Sequence, residues 1–272
     1  MRPLQAKMPD RSPQLENWVA NSVGVDGCPG GWVAVGWDGS ELIARVHQCF
    51  EELVDQWTAL KPGAAGQIYV DIPIGLPWRD CPQRACDVLA RRMLQRPRAS
   101  SVFSPPCREA SRAGTLTEAR DLNQREIGKS LSAQAGGICA KIAEVDRLLI
   151  QRPALRALVR EVHPELLFQA YNRGAPMKHS KKTSAGRAAR LGLLEGELAK
   201  VGFAGHAARL MDRTYSRSKP RPVERDDVLD DLAALLLPVA SRGSPMPIPL
   251  ADEVDKCGLP MRMWCVPSGM PT

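Results

Sequence analysis

Apolar positions along the chain fall into two rhythms. Residues 22–26 (SVGVD) form a short apolar run that stops on a lone carboxylate, Asp26. Glycines follow, and 31–37 (GWVAVGW) then alternates as a half-buried strand does. The DGS at 38–40 is a hairpin signal, so 41–48 (ELIARVHQ) completes a three-strand meander. Residues 50–60 carry apolar side chains at helical spacing, and KPGAAG after them predicts a stop. A β-branched run over 67–77 (QIYVDIPIGLP) predicts a fourth strand that delivers a second aspartate, Asp71.

Residues 78–155 lose strand character. QRACDVLARRML and GGICAKIAEVDRLLI predict helices, with a loop over 96–110 between them. Residues 158–168 begin as a strand, and Pro164 opens a helix at its first turn. Residues 223–240 predict a helix with an acidic first turn. The Pro-rich end, 241–272, holds a small strand at LPMRMW. Strands and helices mixed in this order imply an α/β sheet with helices on its faces. The first 20 residues are polar and predict a disordered leader.

Composition narrows the picture only a little. The 272 residues are 44% hydrophobic and 25% charged, with a net charge of +7, which leaves an anionic partner such as nucleic acid or nucleotide open. Residues 178–221 concentrate the excess, with eleven Lys and Arg against three Glu and Asp. The eight cysteines include no pair at zinc-knuckle spacing and there are four histidines, so a structural zinc is not expected. Free thiols, no apolar stretch of the roughly 18 residues a membrane span needs, and no signal-peptide core predict a cytoplasmic protein with no membrane partner.

The candidate chemistry lies in carboxylates. Asp26 and Asp71 each end an apolar strand, and open α/β sheets bind ligands at the edge where such strands stop. In the late helix Asp227 is flanked by Asp226, Asp230 and Asp231. At about 100° per residue these acids lie opposite the stripe of Val228, Leu232 and Leu235. Taken alone, each group has a second reading: acids in a first helical turn cap amides and favour the helix dipole, and Asp before Gly is a common turn residue. If the three elements meet, buried like charges require a cation, and oxygen ligands select Mg²⁺ or Mn²⁺.

Seven segments resemble a known family in order: GVDGCPGGWVAV, VDIPIGLP, RACDVLARRML with SSVF, LSAQAGGICAKIAEVD, EVHPELLF, SKKTSAGRAARLGLL and DDVLDDLAALL. They are similar to the family called domain of unknown function 429, described as nucleases of ribonuclease-H-like fold on prediction alone, and the resemblance runs over about residues 22–265. It implies a ribonuclease-H-like mixed five-stranded sheet with helices on both faces and a helical insertion over 78–155, in one domain over 21–265 with a tail at 266–272. It also implies metal-dependent hydrolysis of phosphodiester bonds in DNA or RNA. Carried over by position, the catalytic and metal-binding acids are Asp26, Asp71, Asp227 and Asp230, holding two Mg²⁺ or Mn²⁺ ions with Asp26 bridging them. Two positions depart from the pattern. Asp231 stands where alanine is usual, and Pro29 stands where a basic residue is expected in the glycine turn.

Other groups complete the expected site. Glu161 and His163 of EVHPE, with Asp231, are candidates to support the acids. Arg98, Ser100, Ser101, Lys141, Lys181 and Lys182 are candidates to bind substrate phosphates, the last two opening the basic stretch that would track a polyanion. Cys81 and Cys86 are too far apart in sequence for a zinc pair. Two rival readings remain at this level: an ATP-dependent phosphotransferase of the actin-like and sugar-kinase class, and a non-catalytic nucleic-acid-binding module on the same fold. The sequence leaves the oligomeric state open.

Overall fold

A computed structural model of the chain describes residues 13–60, 66–215 and 223–267. After α1 (Pro13–Ala20) comes the meander of β1 (Ser22–Cys28), β2 (Gly31–Trp37) and β3 (Leu42–His47). Next, α2 (Phe50–Leu60) leads to β4 (Gln67–Val70). The long excursion to β5 (Val159–Glu161) is helical: α3 (Ala85–Arg98), α4 (Arg108–Ser111), α5 (Leu116–Ile127), α6 (Ala133–Gly137) and α7 (Cys139–Gln151). Beyond β5 follow α8 (Pro164–Tyr171), α9 (Ser184–Lys200), α10 (His206–Tyr215), α11 (Arg225–Leu235) and α12 (Leu237–Ala240). A ribbon of β6 (Met246–Ile248) and β7 (Met263–Cys265) closes the chain.

The sheet runs in the order β3-β2-β1-β4-β5. The meander pairs are antiparallel, and β1, β4 and β5 are parallel. This is the mixed five-stranded, ribonuclease-H-like α/β arrangement that the sequence predicts. Parallel pairs need long crossovers, and the helical insertion is the crossover between β4 and β5.

Alternation along the strands divides the core into two layers. Val23, Val25, Ile68 and Val70 point to a layer built with α2 and α7. Val33, Val35, Cys28 and Tyr69 point to a second layer built with α8 to α11. Trp32 is fully buried in the first layer, its ring tilted against Phe50 with centroids 4.9 Å apart and its indole N–H donating to Glu144 Oε2 at 3.0 Å. Helix α11 lies directly on β1. A Cβ on Gly24 would come within 1.8 Å of the Asp231 carbonyl oxygen, so only glycine permits this approach.

Several expectations are corrected. The leader is not disordered throughout: residues 13–20 form α1, and Val19 is fully buried in the second layer. Residues 1–12 lie outside the described residues, as do the 61–65 helix stop, the last six residues of the 178–221 basic stretch and most of the tail. The fourth strand ends at Val70 rather than 77. Pro73 has no N–H to give the sheet, and the next amides are taken by buried carboxylates: Ile74 N–H donates to Glu161 Oε2 at 2.7 Å and Leu76 N–H to Asp255 Oδ2 at 3.0 Å. The 96–110 loop contains a 3₁₀ turn at Ala99–Ser101 and the start of α4. Among the described residues no helix is long and apolar enough to cross a membrane.

Candidate metal centre

The sheet register fixes the first two acids. Val25 pairs with Val70 across the parallel strands, so Asp26 and Asp71 stand side by side one residue further on. Asp71 N–H donates to the Val25 carbonyl at 3.0 Å, tying the two strand ends together. Because Val25 and Val70 face α2 and α7, the next residues face α11. Asp26 also accepts its own neighbour's amide, Gly27 N–H to Oδ1, at 2.6 Å.

Helix α11 supplies the remaining acids. Asp230 and Asp231 are 2% and 1% exposed. Asp227 accepts the Glu224 N–H on Oδ2 at 3.0 Å and so caps its own helix. The expected capping role and the expected site role thus meet in one residue. Asp231 differs: neither carboxylate oxygen has a hydrogen-bond partner among the described residues.

The electrostatics record how closely these groups gather. Burial raises the Asp26 carboxyl well above the usual range; Asp71, Asp230 and Asp227 raise it further, and Lys181 opposes them. Burial raises Asp71 as well, against the pull of His163 and Lys181. Asp230 is pushed up to about 7 by burial, although Lys181 draws it down. Burial, then Asp26, Asp227 and Asp230, holds Asp231 well above the carboxylate range. The Cys28 thiol beside them is raised by its own burial. The four sequence-predicted acids and Asp231 therefore share one electrostatic centre at the ends of β1 and β4.

Lys181 occupies a different place from the one its sequence context implies. It is half-buried, and its charge is directed at the acids. Its ammonium is paired with Asp230 and close enough to Asp26 and Asp71 to interact with both. Burial disfavours its charge, yet these acids hold it well above the ordinary lysine range. The Ser180 carbonyl that precedes it sits where a Cβ on Gly186 would be, at 1.8 Å; that glycine lets the loop close over α9. Lys182 reaches Asp226 Oδ2 at 2.7 Å. The basic stretch is neutralised further by Arg190 on Glu165 and by Arg213 on Glu41.

The other predicted phosphate contacts make hydrogen bonds to backbone carbonyls, Ser100 from an exposed position. Arg98 Nε donates to the Met177 carbonyl at 2.8 Å. The hydroxyls of Ser100 and Ser101 donate to the carbonyls of Pro97 and Arg98, at 3.4 and 2.7 Å. Lys141 donates to the Gly31 carbonyl and lies 4.9 Å from the Trp32 ring centroid, across the glycine turn after Asp26. Asp146, five residues further along the same helix, is held by Arg108 and Arg112.

Glu161 and His163 line one small cavity with Asp71 but meet different partners. Glu161 pairs with Val70 in the sheet, so it faces the opposite layer from Asp71 and does not join the acids. Both its oxygens are engaged by Arg84, Nη1 to Oε2 and Nη2 to Oε1, each at 2.8 Å. Arg84 is 1% exposed and also holds Asp87 and the carbonyls of Ile74 and Gly75. No local sequence signal marks Arg84 for this task. His163 remains beside Asp71, and its buried Nδ1 has no hydrogen-bond partner among the described residues.

Two places can be tested for a metal. Cys86, Asp87 and Glu161 are the one trio among the described residues whose ligand atoms all lie within 4.8 Å of one another. The Arg84 guanidinium already supplies the positive charge there, and burial raises the Cys86 thiol far from thiolate; that trio does not fit a metal. The acids at the strand ends are spread more widely, no three of their ligand atoms lying within 4.8 Å of one another, and Lys181 stands among them. Their oxygen donors and the partnerless Asp231 carboxylate fit a hard divalent cation.

The family model described as protein of unknown function (DUF429) matches residues 24–253. The chain belongs to this family. The match reaches from Gly24, against which α11 packs, past all five acids of the centre. Among curated proteins and solved structures nothing matches the chain.

Proposed function

We propose that this DUF429 protein is a metal-dependent nuclease that hydrolyses phosphodiester bonds of nucleic acid. One observation carries the reading: Asp26, Asp71, Asp227 and Asp230, from two parallel strands and one helix, gather at one end of the sheet. Like charges brought together this way are unfavourable without a cation. Asp26, Asp71, Asp227 and Asp230 would hold Mg²⁺ or Mn²⁺, which when bound neutralises phosphate charge and lowers the pKa of water.

The chain's own residues do the positioning. Strands β1 and β4 fix Asp26 and Asp71 in register. Arg84 and Glu161 hold the backbone that leaves Asp71, through Ile74 and Gly75. His163 stands beside Asp71 with a buried, partnerless Nδ1, placed to orient that carboxylate's surroundings. The net charge of +7 favours a polyanionic partner. Eight free cysteines suit a reducing compartment, and we place the protein in the cytoplasm on that ground.

The test is incubation of the full chain with labelled single-stranded, duplex and branched DNA and RNA in Mn²⁺. Wild type is expected to cut at least one of them, and EDTA to stop it. Asp26→Asn is expected to lose at least about 100-fold, since a direct ligand counts for no less than an outer-shell partner. Cleavage that survives EDTA or Asp26→Asn, or no cleavage of any substrate, overturns the proposal.

A further inference from the structure

Away from the acidic centre, we infer that a cavity beside β5 binds a phosphate ester, its phosphoryl group held by Arg156, Arg160 and Arg262. The cavity measures about 230 Å³ and lies against β5, an edge strand of the sheet. Three separate segments bring the guanidinium groups to it. Arg156 comes from the 3₁₀ turn at Pro153–Ala157, Arg160 from β5 itself, and Arg262 from the position before β7. Arg160 and Arg262 both lie over the Trp264 ring, at 3.9 and 5.7 Å from its centroid.

Like charges gathered around one hollow repel, and little on the protein offsets them here. Among the described residues Glu161 is the one carboxylate lining the cavity, and both its oxygens are taken by Arg84. Arg156 is held by backbone: its Nε donates to the Leu149 carbonyl at 2.9 Å and its Nη1 to the Gly258 carbonyl at 3.4 Å. These bonds fix the side chain without neutralising it. Arg160 has the Trp264 ring and the Tyr69 hydroxyl as neighbours. Arg262 is paired with Asp252, but that carboxylate is 81% exposed, and an ion pair in water contributes little. Each guanidinium presents a planar fork of N–H donors that matches phosphate oxygens. Three forks from three segments suit the outer oxygens of a phosphoryl group better than the two of a carboxylate. Ile74 and the Trp264 ring add apolar wall, which suits the organic part of an ester. Glu161 also lines the small cavity beside Asp71, so the two hollows adjoin. That favours a backbone phosphate of nucleic acid over a free nucleotide as the source, and this choice of source, unlike the site itself, rests on the nuclease reading.

The experiment measures binding to the full chain in EDTA: labelled oligothymidylate by fluorescence anisotropy across a salt series, and thymidine monophosphate by calorimetry, with melting temperatures to show that each variant is folded. Wild type is expected to bind the oligonucleotide. Arg156→Gln and Arg262→Gln, made separately so that either can carry the test, are each expected to bind at least about tenfold more weakly. Each is also expected to reduce the log–log salt slope by about 0.7, the value for one phosphate contact on a single strand. Arg45→Gln removes the same charge from β3, at the opposite edge of the sheet, and is expected to leave affinity unchanged. Tighter binding of the oligonucleotide than of the mononucleotide assigns the site to backbone phosphate, and the reverse assigns it to a free nucleotide; either supports the site if Arg156→Gln or Arg262→Gln weakens that binding. Binding of neither ligand, unchanged affinity in both arginine variants, or an equal loss in Arg45→Gln overturns it. Cleavage in Mn²⁺ decides the nuclease reading independently of these results.

Discussion

Asp26 owes its position to the backbone more than to its charge, which meets one amide, Gly27 N–H, and the Lys181 ammonium among several acids. Its strand is locked between β2 and β4, and three other acids raise its carboxyl further above the range that burial already sets. Replacing it by Asn removes one charge from that group and keeps the shape. Without divalent ions Asp26→Asn is therefore expected to melt above wild type, by roughly 2–4 °C for each kcal/mol of repulsion relieved. Differential scanning calorimetry in EDTA checks this, and a lower melting temperature would mean that the contacts of Asp26 with Gly27 N–H and Lys181 outweigh its repulsion by the other acids. Arg84 is the opposite case. It is a buried cation with two buried carboxylates and two carbonyls around it. Removing one member of a buried ionic group strands the others, at about 3–5 kcal/mol. Arg84→Met is expected to lose that much in urea unfolding, and a loss under about 1 kcal/mol would show that Asp87 and Glu161 find other partners.

Between elements, the contact of α11 with β1 decides whether a centre exists. Gly24→Ala drives a Cβ into the backbone of Asp231, and a main-chain carbonyl on a buried helix cannot swing aside. The helix must shift, and overpacking of this kind costs about 1–3 kcal/mol. The expected outcome is a destabilised protein that also loses Mn²⁺ affinity; an intact metal isotherm would mean that α11 and β1 are not rigidly coupled. This contact also marks the limit of what the chain reveals before folding. The meander, the strand-end positions of Asp26 and Asp71 and the acidic face of α11 were legible, because each follows from local periodicity. The supporting position of Glu161 was legible only in part, since β5 register sets its face by the parity of one residue and that register exists only once β4 and β5 pair. The roles of Lys181 and Arg84 were not legible. Lys181 meets Asp230 across 49 residues and Arg84 meets Glu161 across 77, and a basic run reads as a solvated face until the loop that carries it is placed. Residues 13–20 were misread because their helix is stabilised by docking Val19 into the core, not by local propensity.

For the whole molecule, the acids set an unusual dependence of stability on pH. Burial pushes Asp230 and Glu161 up to about 7, from ordinary values of 3.8 and 4.5. The unfolded chain releases these protons near its ordinary values, and the folded chain keeps them until about pH 7. The folded state thus binds more protons in between, and stability falls as pH rises through that window; Asp26, Asp71, Asp227 and Asp231 are raised in the same direction. Urea unfolding in EDTA is expected to show stability dropping from pH 5 to pH 8 by on the order of a few kcal/mol, with saturating Mn²⁺ flattening the drop. A rise over that range would mean that the acids are already neutralised by groups other than a metal. The most direct measurement is anomalous scattering from a crystal of the full chain soaked in Mn²⁺. The account predicts a manganese peak bounded by Asp26 and the acids of α11. No peak there, or manganese only beside Cys86, Asp87 and Glu161, would contradict it.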